Sequence, residues 1–120
     1  MEGHKIKHDV FCPYYQKTIE LIGRRWTGAI IRALLSGVTR FSELRESIPD
    51  LSDRMLSERL KELEEEGIVE RHVYPETPVR IEYKLTPKGE DLAEIVEAVS
   101  RWAHEWLAPH ESTDEVRTVS

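Results

Sequence analysis

The stretch that most constrains the fold is residues 41–85, where a helical hydrophobic pattern gives way to a strand pattern. Phe41, Leu44 and Ile48 recur at the three-to-four-residue spacing of one face of a short helix. Pro49 follows at once and cannot continue that helix. A chain that begins in this way must turn sharply before its next regular element.

A longer helix is predicted over residues 52–66, because Ser52 can cap its first amides and Gly67 suits the left-handed position that ends it. Residues 69–74 and 80–85 then read as two strands joined by a tight connection. A helix-turn-helix followed by a β-hairpin is a winged helix-turn-helix. This arrangement most often places its second helix in the DNA major groove and its hairpin, the wing, near the backbone.

Further helices are predicted on both sides of this segment. One spans residues 13–22, and the next spans residues 27–35 with Thr27 as its cap. Thr86 and Pro87 provide the cap and the first position of a long final helix. The predicted fold class is therefore mainly α with a β-hairpin wing, an α+β winged helix-turn-helix.

The length of 120 residues predicts one domain over residues 11–107, between a flexible arm at 1–10 and a flexible tail at 108–120. No apolar run approaches the roughly 18 residues that span a bilayer, and the polar N-terminus lacks the apolar centre of a signal peptide. The single cysteine excludes an intrachain disulfide framework. These features predict a cytoplasmic protein.

The overall charge argues at first sight against a nucleic-acid partner, because it is −6 and many nucleic-acid-binding domains are basic. The distribution of charge matters more than the sum. Residues 52–61 contain Arg54, Arg59 and Lys61 but only two carboxylates. We therefore predict a small basic surface on an acidic body, with an affinity that rests on few phosphate contacts.

The predicted second helix of the motif has a polar stripe beside its leucines. Arg54, Ser57, Glu58 and Lys61 recur at helical spacing, and Arg59 lies next to them. Arginine can contact guanine O6 and N7 with two hydrogen bonds, and glutamate can accept a hydrogen bond from cytosine N4. The alternative is an ordinary solvated helix face, which is the commonest role of such a stripe.

Phosphate contacts are predicted from the start of this helix, from the wing and from the residues before the first helix of the motif. The alternatives are a favourable charge at a helix start, an exposed hairpin tip and helix capping. The candidate DNA-contacting residues are Thr39, Arg40, Ser52, Asp53, Arg54, Ser57, Glu58, Arg59, Lys61, Tyr74 and Arg80.

The predicted final helix has an apolar stripe that continues over four turns and includes two tryptophans. A helix of about 20 residues is roughly 30 Å long, so it can extend beyond a small winged domain. The stripe predicts a subunit interface, and the alternative is that it packs wholly on its own domain. The candidate dimer-interface residues are Leu92, Ile95, Val96, Val99, Trp102, Ala103 and Trp106.

Cys12 is a candidate redox sensor, because it lies at the cap position of the first predicted helix, with Lys17 one turn later. A helix N-terminus and a nearby cation both favour the thiolate. The alternative is an inert, half-buried thiol. His4 and His8 share helical spacing with Cys12, but Gly3 and the polar character of the arm disfavour a helix there. We predict no metal site and no cofactor.

Several motifs carry a family resemblance over residues 12–106: Cys12-Pro13, Trp26, RFSEL at 40–44, LSDRMLSERL at 51–60, LEEEG at 63–67, EYKLTPKG at 82–89 and Trp102. In their order and spacing they resemble the HxlR-type winged helix-turn-helix transcription regulators, relatives of the MarR group. The resemblance implies homodimeric DNA-binding repressors or activators whose N- and C-terminal helices form the dimer. It also implies that some members sense electrophiles or oxidants through a cysteine near the N-terminus.

The sequence therefore predicts a homodimeric, sequence-specific transcription regulator that binds double-stranded DNA at a short, roughly palindromic operator. A small electrophile or oxidant is the predicted effector if Cys12 is a sensor. One alternative is a winged-helix protein–protein adaptor, which the acidic balance permits. Another is a thiol enzyme, but the sequence contains no nucleophile elbow, Gly-rich phosphate loop or paired-carboxylate site. We predict neither an enzyme nor a membrane partner.

Overall fold

The computed structural model describes residues 10–109, and its elements follow the predicted order. The elements are α1 (Pro13–Ile22), α2 (Thr27–Leu35), α3 (Phe41–Ser47), α4 (Asp53–Glu65), β1 (Val69–Tyr74), β2 (Arg80–Leu85) and α5 (Pro87–Trp106). This arrangement confirms the predicted fold class. The predicted arm and tail lie outside the described residues apart from Val10, Ala108 and Pro109, so they stay predictions.

Side-chain caps begin three of the helices where the sequence predicts them. Cys12, Ser52 and Thr86 each accept a hydrogen bond from the backbone amide three residues later, at 3.4, 3.1 and 3.0 Å. Each bond satisfies an amide that the start of a helix leaves free. Gly67 follows the end of α4 at a φ of 75°, as its position in the sequence predicts.

The predicted cap of α2 is wrong. Thr27 lies inside the helix with 1% of its surface exposed, and Trp26 precedes it in the left-handed conformation at a φ of 77°. The amide of Thr27 donates to the carbonyl oxygen of Arg24 at 3.1 Å. This bond closes a tight turn immediately before α2. Trp26, and not Thr27, is therefore the non-helical residue at the cap position of the helix.

The core lies between α2, α3, α4, the hairpin and α5. Ile31 of α2, Leu44 of α3 and Leu56 of α4 are fully buried, and Val96 of α5 is 6% exposed. By contrast, α1 has no buried residue and packs on this core only through partly buried side chains. The winged domain therefore has a closed apolar core, whereas most apolar side chains of α1 lie outside this core.

The wing is anchored to the helix-turn-helix through the backbone. Strands β1 and β2 pair in antiparallel register over their whole length. The amide of Tyr83 donates to the carbonyl oxygen of Thr39 at 2.9 Å, and an isolated bridge joins Arg40 to Glu82. These contacts hold β2 against the residues immediately before α3, so the wing has a defined position relative to α3 and α4.

Gly89 leaves no room for a side chain, because a Cβ there would lie 2.0 Å from the carbonyl oxygen of Ile68. That oxygen also accepts a hydrogen bond from the Thr86 amide at 3.0 Å. We expect Gly89→Ala to lower the free energy of unfolding by about 3 kcal/mol, since relieving the clash requires backbone to move. Chemical denaturation followed by circular dichroism measures the change.

Gly28→Ala is the matched control, because a Cβ at Gly28 meets its nearest atoms at 3.8 Å and alanine is the better helix former. We expect this variant to be at least as stable as the unmodified chain. Equal stability of the two variants would contradict the close approach of Gly89 to Ile68.

Candidate nucleic-acid interface

Helix α4 has one face in the core and one face in solvent. Leu56 and Leu63 are fully buried, whereas the side chain of Arg54 is 89% exposed. Ser57 and Lys61 follow Arg54 at helical spacing and are also exposed. Burial of the leucine face therefore directs this polar stripe outward, as the sequence predicts.

Two ion pairs lie along this outward surface. The Nη1 of Arg45 on α3 lies 2.5 Å from Oδ1 of Asp53, and the Nε of Arg54 lies 3.2 Å from Oε2 of Glu58. Arg45 is a candidate that sequence reasoning missed. Its only signal was a charged residue on the polar side of a short helix, and the fold brings it to the start of α4.

Arg59 does not belong to the outward stripe, which corrects its prediction as a DNA contact. It is 7% exposed, its Nε donates to the carbonyl oxygen of Arg25 at 2.9 Å, and its Nη1 lies 3.2 Å from the carboxylate of Glu62. Arg59 thus ties α4 to the turn between α1 and α2. The signal for this role was its spacing, because it follows Leu56 by three residues and so shares the buried face.

Arg80, at the start of β2, is surrounded by partners from the wing itself. Its Nε and Nη2 donate to the carboxylate oxygens of Glu76 at 3.2 and 2.8 Å, and its Nη1 donates to Glu82. The guanidinium also lies over the ring of Tyr74, with Cζ 4.0 Å from the ring centroid. The predicted wing residues Tyr74 and Arg80 therefore meet each other in the structure.

These contacts change the acidity of both partners. The hydrogen bond from Arg80, and then the charge of its guanidinium, hold the pKa of Glu76 below its ordinary value despite some desolvation. The hydrogen bonds to Glu76 and then Glu82 raise the pKa of Arg80. Both groups are consequently charged at neutral pH, and each is paired to the other.

Arg40 and Arg80 both line a groove of about 450 Å³ between the start of α3 and the wing. The Nε of Arg40 lies 3.9 Å from Oε2 of Glu82, and its side chain makes no capping hydrogen bond to α3. Thr39, the residue before it, is half-buried and is held through its carbonyl oxygen. Glu82, with 13% of its side chain exposed, is thus shared by the two arginines.

The apolar stripe of α5 divides between two environments. Leu92 and Val96 are 7% and 6% exposed and belong to the core of the protomer. Their burial corrects their prediction as interface residues, because side chains already covered by their own domain offer little surface to a partner. The exposed members are Ile95 (50%), Val99 (56%), Trp102 (58%) and Trp106 (68%), and Ala103 is half-buried.

Helix α1 adds exposed apolar side chains that the sequence reading did not single out. Tyr14, Tyr15 and Ile19 are 82%, 65% and 40% exposed. Tyr14 and Ile95 of α5 line the same shallow groove, of about 370 Å³. We use the term terminal-helix face for these three residues of α1 together with the four exposed members of the α5 stripe.

Cys12 is exposed and lies at the cap of α1, where its Sγ accepts the hydrogen bond from the amide of Tyr15. Its exposure contradicts the half-buried thiol of the alternative reading. Within residues 10–109 no group of three or more His, Cys, Asp or Glu side chains is arranged to hold a metal ion. His4 and His8 lie outside the described residues.

Comparison with known proteins identifies the fold. A family model described as an HxlR-like helix-turn-helix matches residues 21–111. The chain belongs to this HxlR-like family. The HTH-type transcriptional regulator YvaP of Bacillus subtilis is 54% identical over 82% of this chain and 91% of the relative. The HTH-type transcriptional regulator YodB of the same organism is 44% identical over 89% of this chain and 96% of the relative.

Solved structures of HxlR-like and MarR-family regulators agree with this assignment. Reduced YodB is similar at a TM-score of 0.71 and 46% identity, over 83% of this chain and 98% of that one. The redox regulator HypR in its reduced form is similar at a TM-score of 0.71 and 37% identity, over 76% and 90%. Diamide-treated and quinone-bound forms of YodB match at TM-scores of 0.68 and 0.67.

The family assignment confirms that this is a MarR-related helix-turn-helix protein of transcription regulation. Its relatives are named as regulators and not as enzymes. Among the described residues of this HxlR-like chain, no helix combines the length and apolar character required to cross a membrane.

Proposed function

We propose that this chain is a homodimeric, sequence-specific regulator in which α4 is the recognition helix and enters the major groove of DNA. The observation that carries the proposal is the exposed stripe of Arg54, Ser57 and Lys61, held beside an anchored wing in an HxlR-like fold. Two such helices related by a two-fold axis match a roughly palindromic operator on double-stranded DNA. Binding of this kind takes place at the chromosome, so we assign the protein to the cytoplasm.

Arg54 is the residue we assign to base recognition. Its partner Glu58 lies one turn later on the same exposed helix face, and exposed pairs of this kind contribute little to stability. The guanidinium can therefore leave Glu58 for the O6 and N7 of a guanine. Ser52, Asp53 and Arg45 lie at the start of α4, where contacts to phosphate fix the register of the helix on the duplex.

We expect Arg54→Ala to weaken binding to an operator by about 1–3 kcal/mol, because a bidentate base contact is lost. The operator is first selected from random duplexes with the unmodified chain. Fluorescence anisotropy then measures affinity for the operator and for a random duplex. Loss of affinity should be larger on the operator.

Arg32→Ala is the control for charge, because Arg32 lies on α2 and pairs with Glu97 of α5, away from α4. This variant should discriminate between the two duplexes as the unmodified chain does. An equal loss on both duplexes for Arg54→Ala would remove its base-reading role. A chain that selects no sequence at all would favour the adaptor function.

The dimer we propose is formed by the terminal-helix face. Its seven side chains are 40–82% exposed, and they lie on the two helices at the ends of the described chain. Large exposed apolar patches rimmed by polar residues are typical of protein interfaces. Tyrosine and tryptophan are well suited to such an interface, because they bury a large apolar area and retain a polar group.

We expect the double substitution Val99→Glu and Trp102→Glu to convert the dimer into monomer, because two carboxylates would have to be buried without partners. Sedimentation velocity measures the change. Val73→Glu is the matched control, since Val73 is 50% exposed but lies on the wing. A stable monomer for the unmodified chain would overturn the dimer proposal.

We also propose that Cys12 makes DNA binding responsive to oxidants or electrophiles. The thiol is exposed at the cap of α1, and α1 contributes to the terminal-helix face. Modification there removes a cap and adds bulk beside the subunit interface. A small rotation of one subunit on the other would change the distance between the two recognition helices, which must match about one turn of DNA.

We expect diamide to weaken operator binding of the unmodified chain and to leave Cys12→Ser unaffected. In this reaction two thiols lose two electrons and two protons to diamide and form a disulfide, either between subunits or with an added small thiol. Mass spectrometry confirms the product, and anisotropy measures the affinity. Unchanged affinity with fully modified Cys12 would make the thiol a structural cap only.

A further inference from the structure

Several arginines of the surface formed by α3, α4 and the wing are paired with carboxylates of the same chain. Arg45 pairs with Asp53 at 2.5 Å, and Arg54 pairs with Glu58 at 3.2 Å. Each such pair neutralises a positive charge that would otherwise be available to attract the DNA backbone. The wing shows the strongest pairing, because Arg80 contacts two carboxylates.

The two carboxylates occupy different donors of Arg80. Glu82 accepts from Nη1 and is largely enclosed beside the groove at the start of α3. Glu76 accepts from Nε and Nη2 with one oxygen each, at 3.2 and 2.8 Å. This parallel two-bond arrangement is also the one by which arginine binds a phosphate. A phosphate that binds Arg80 in this way at the same edge takes the two donors that Glu76 occupies.

The position of Glu76 allows a DNA phosphate to displace its carboxylate from Arg80. It lies in the connection between β1 and β2, and 53% of its side chain is exposed. Its backbone amide donates to the carbonyl oxygen of Tyr74 at 2.8 Å, a bond that does not depend on the carboxylate. The connection can therefore keep its conformation when the carboxylate is removed or leaves Arg80.

We propose that Glu76 is an intramolecular competitor of the DNA backbone, which occupies two donors of Arg80 and lowers the sequence-independent part of the affinity for double-stranded DNA. This inference rests on the proposed DNA-binding function and adds a residue that limits it. Non-specific affinity comes from phosphate contacts and counterion release, whereas base contacts specify sequence. Pairing in the wing thus leaves discrimination to α4 and weakens binding of the protein to arbitrary DNA.

Glu76→Gln tests the proposal, because it removes the negative charge and retains the length of the side chain. One additional phosphate contact contributes about 0.9 to the salt slope, which corresponds to about fivefold in affinity at roughly 0.15 M salt. We expect Glu76→Gln to bind a random-sequence duplex about fivefold more tightly, with a correspondingly steeper salt dependence. Fluorescence anisotropy over a series of salt concentrations measures both quantities.

Glu70→Gln is the matched control. Glu70 is an exposed carboxylate on β1 of the same hairpin, and it pairs with His72 and not with an arginine. The substitution changes the net charge by the same amount. Equal gains for Glu70→Gln and Glu76→Gln would attribute the effect to net charge and overturn the proposal. Absence of any gain for Glu76→Gln would overturn it as well.

A second comparison tests whether Glu76 acts through Arg80. In an Arg80→Gln background the contested donors are absent, so Glu76→Gln should add no more affinity than Glu70→Gln adds there. A full fivefold gain without Arg80 would contradict the competition. Circular dichroism of each variant confirms that the chains compared are folded.

The outcome for Glu76 can be separated from the outcome for the proposed function. If the unmodified chain binds selected and random duplexes equally, sequence-specific regulation is contradicted, while the comparison on random DNA still decides the role of Glu76. If the chain prefers its operator but Glu76→Gln behaves as Glu70→Gln does, only the competition is overturned. Failure of Glu76→Gln to bind random DNA at any attainable concentration would also overturn it.

Discussion

Burial of the leucine face of α4 is the constraint on which the rest of the structure depends. Leu56, Leu60 and Leu63 are at most 1% exposed, and full burial of one such side chain contributes about 1.5–3 kcal/mol. Because a helix is rigid, the contacts that bury these leucines also set the rotation of α4 about its axis. The outward position of Arg54 is thus a consequence of the core, and Arg59 strengthens it by tying α4 to the turn before α2.

The charge pattern explains how an acidic chain can have the architecture of a DNA-binding protein. A net charge of −6 does not attract DNA at long range. Several of the arginines near α4 and the wing are paired with carboxylates, and Glu82 is shared by Arg40 and Arg80. Pairing of this kind gives the surface a defined shape before binding. It also makes the affinity for DNA depend on how well the phosphates and bases of a particular duplex take the place of those carboxylates on the arginines. The affinity therefore depends on the geometry of the contacts more than on total charge.

Much of the fold could be predicted because its signals are local. Both strands have their predicted bounds, and Ser52 and Thr86 cap the helices they were expected to cap. Each of these features depends on residues within about four positions along the chain, such as a hydroxyl followed by a free amide or a glycine at a helix end. The polar stripe of α4 was predictable for the same reason. At α2 the capping rule failed, because a tight turn closed by the Thr27 amide puts Trp26, and not Thr27, at the position before the helix.

The sequence by itself therefore determined the elements, their order and the apolar or polar character of each face. Only the tertiary structure decided which neighbour covers each face. Leu92 and Val99 belong to one stripe of α5, yet the first is buried in the protomer and the second is 56% exposed. Arg59 is buried because it finds the carbonyl oxygen of Arg25, 34 residues earlier. Helical periodicity reports which side chains share a face, whereas burial depends on contacts between elements that are distant along the chain.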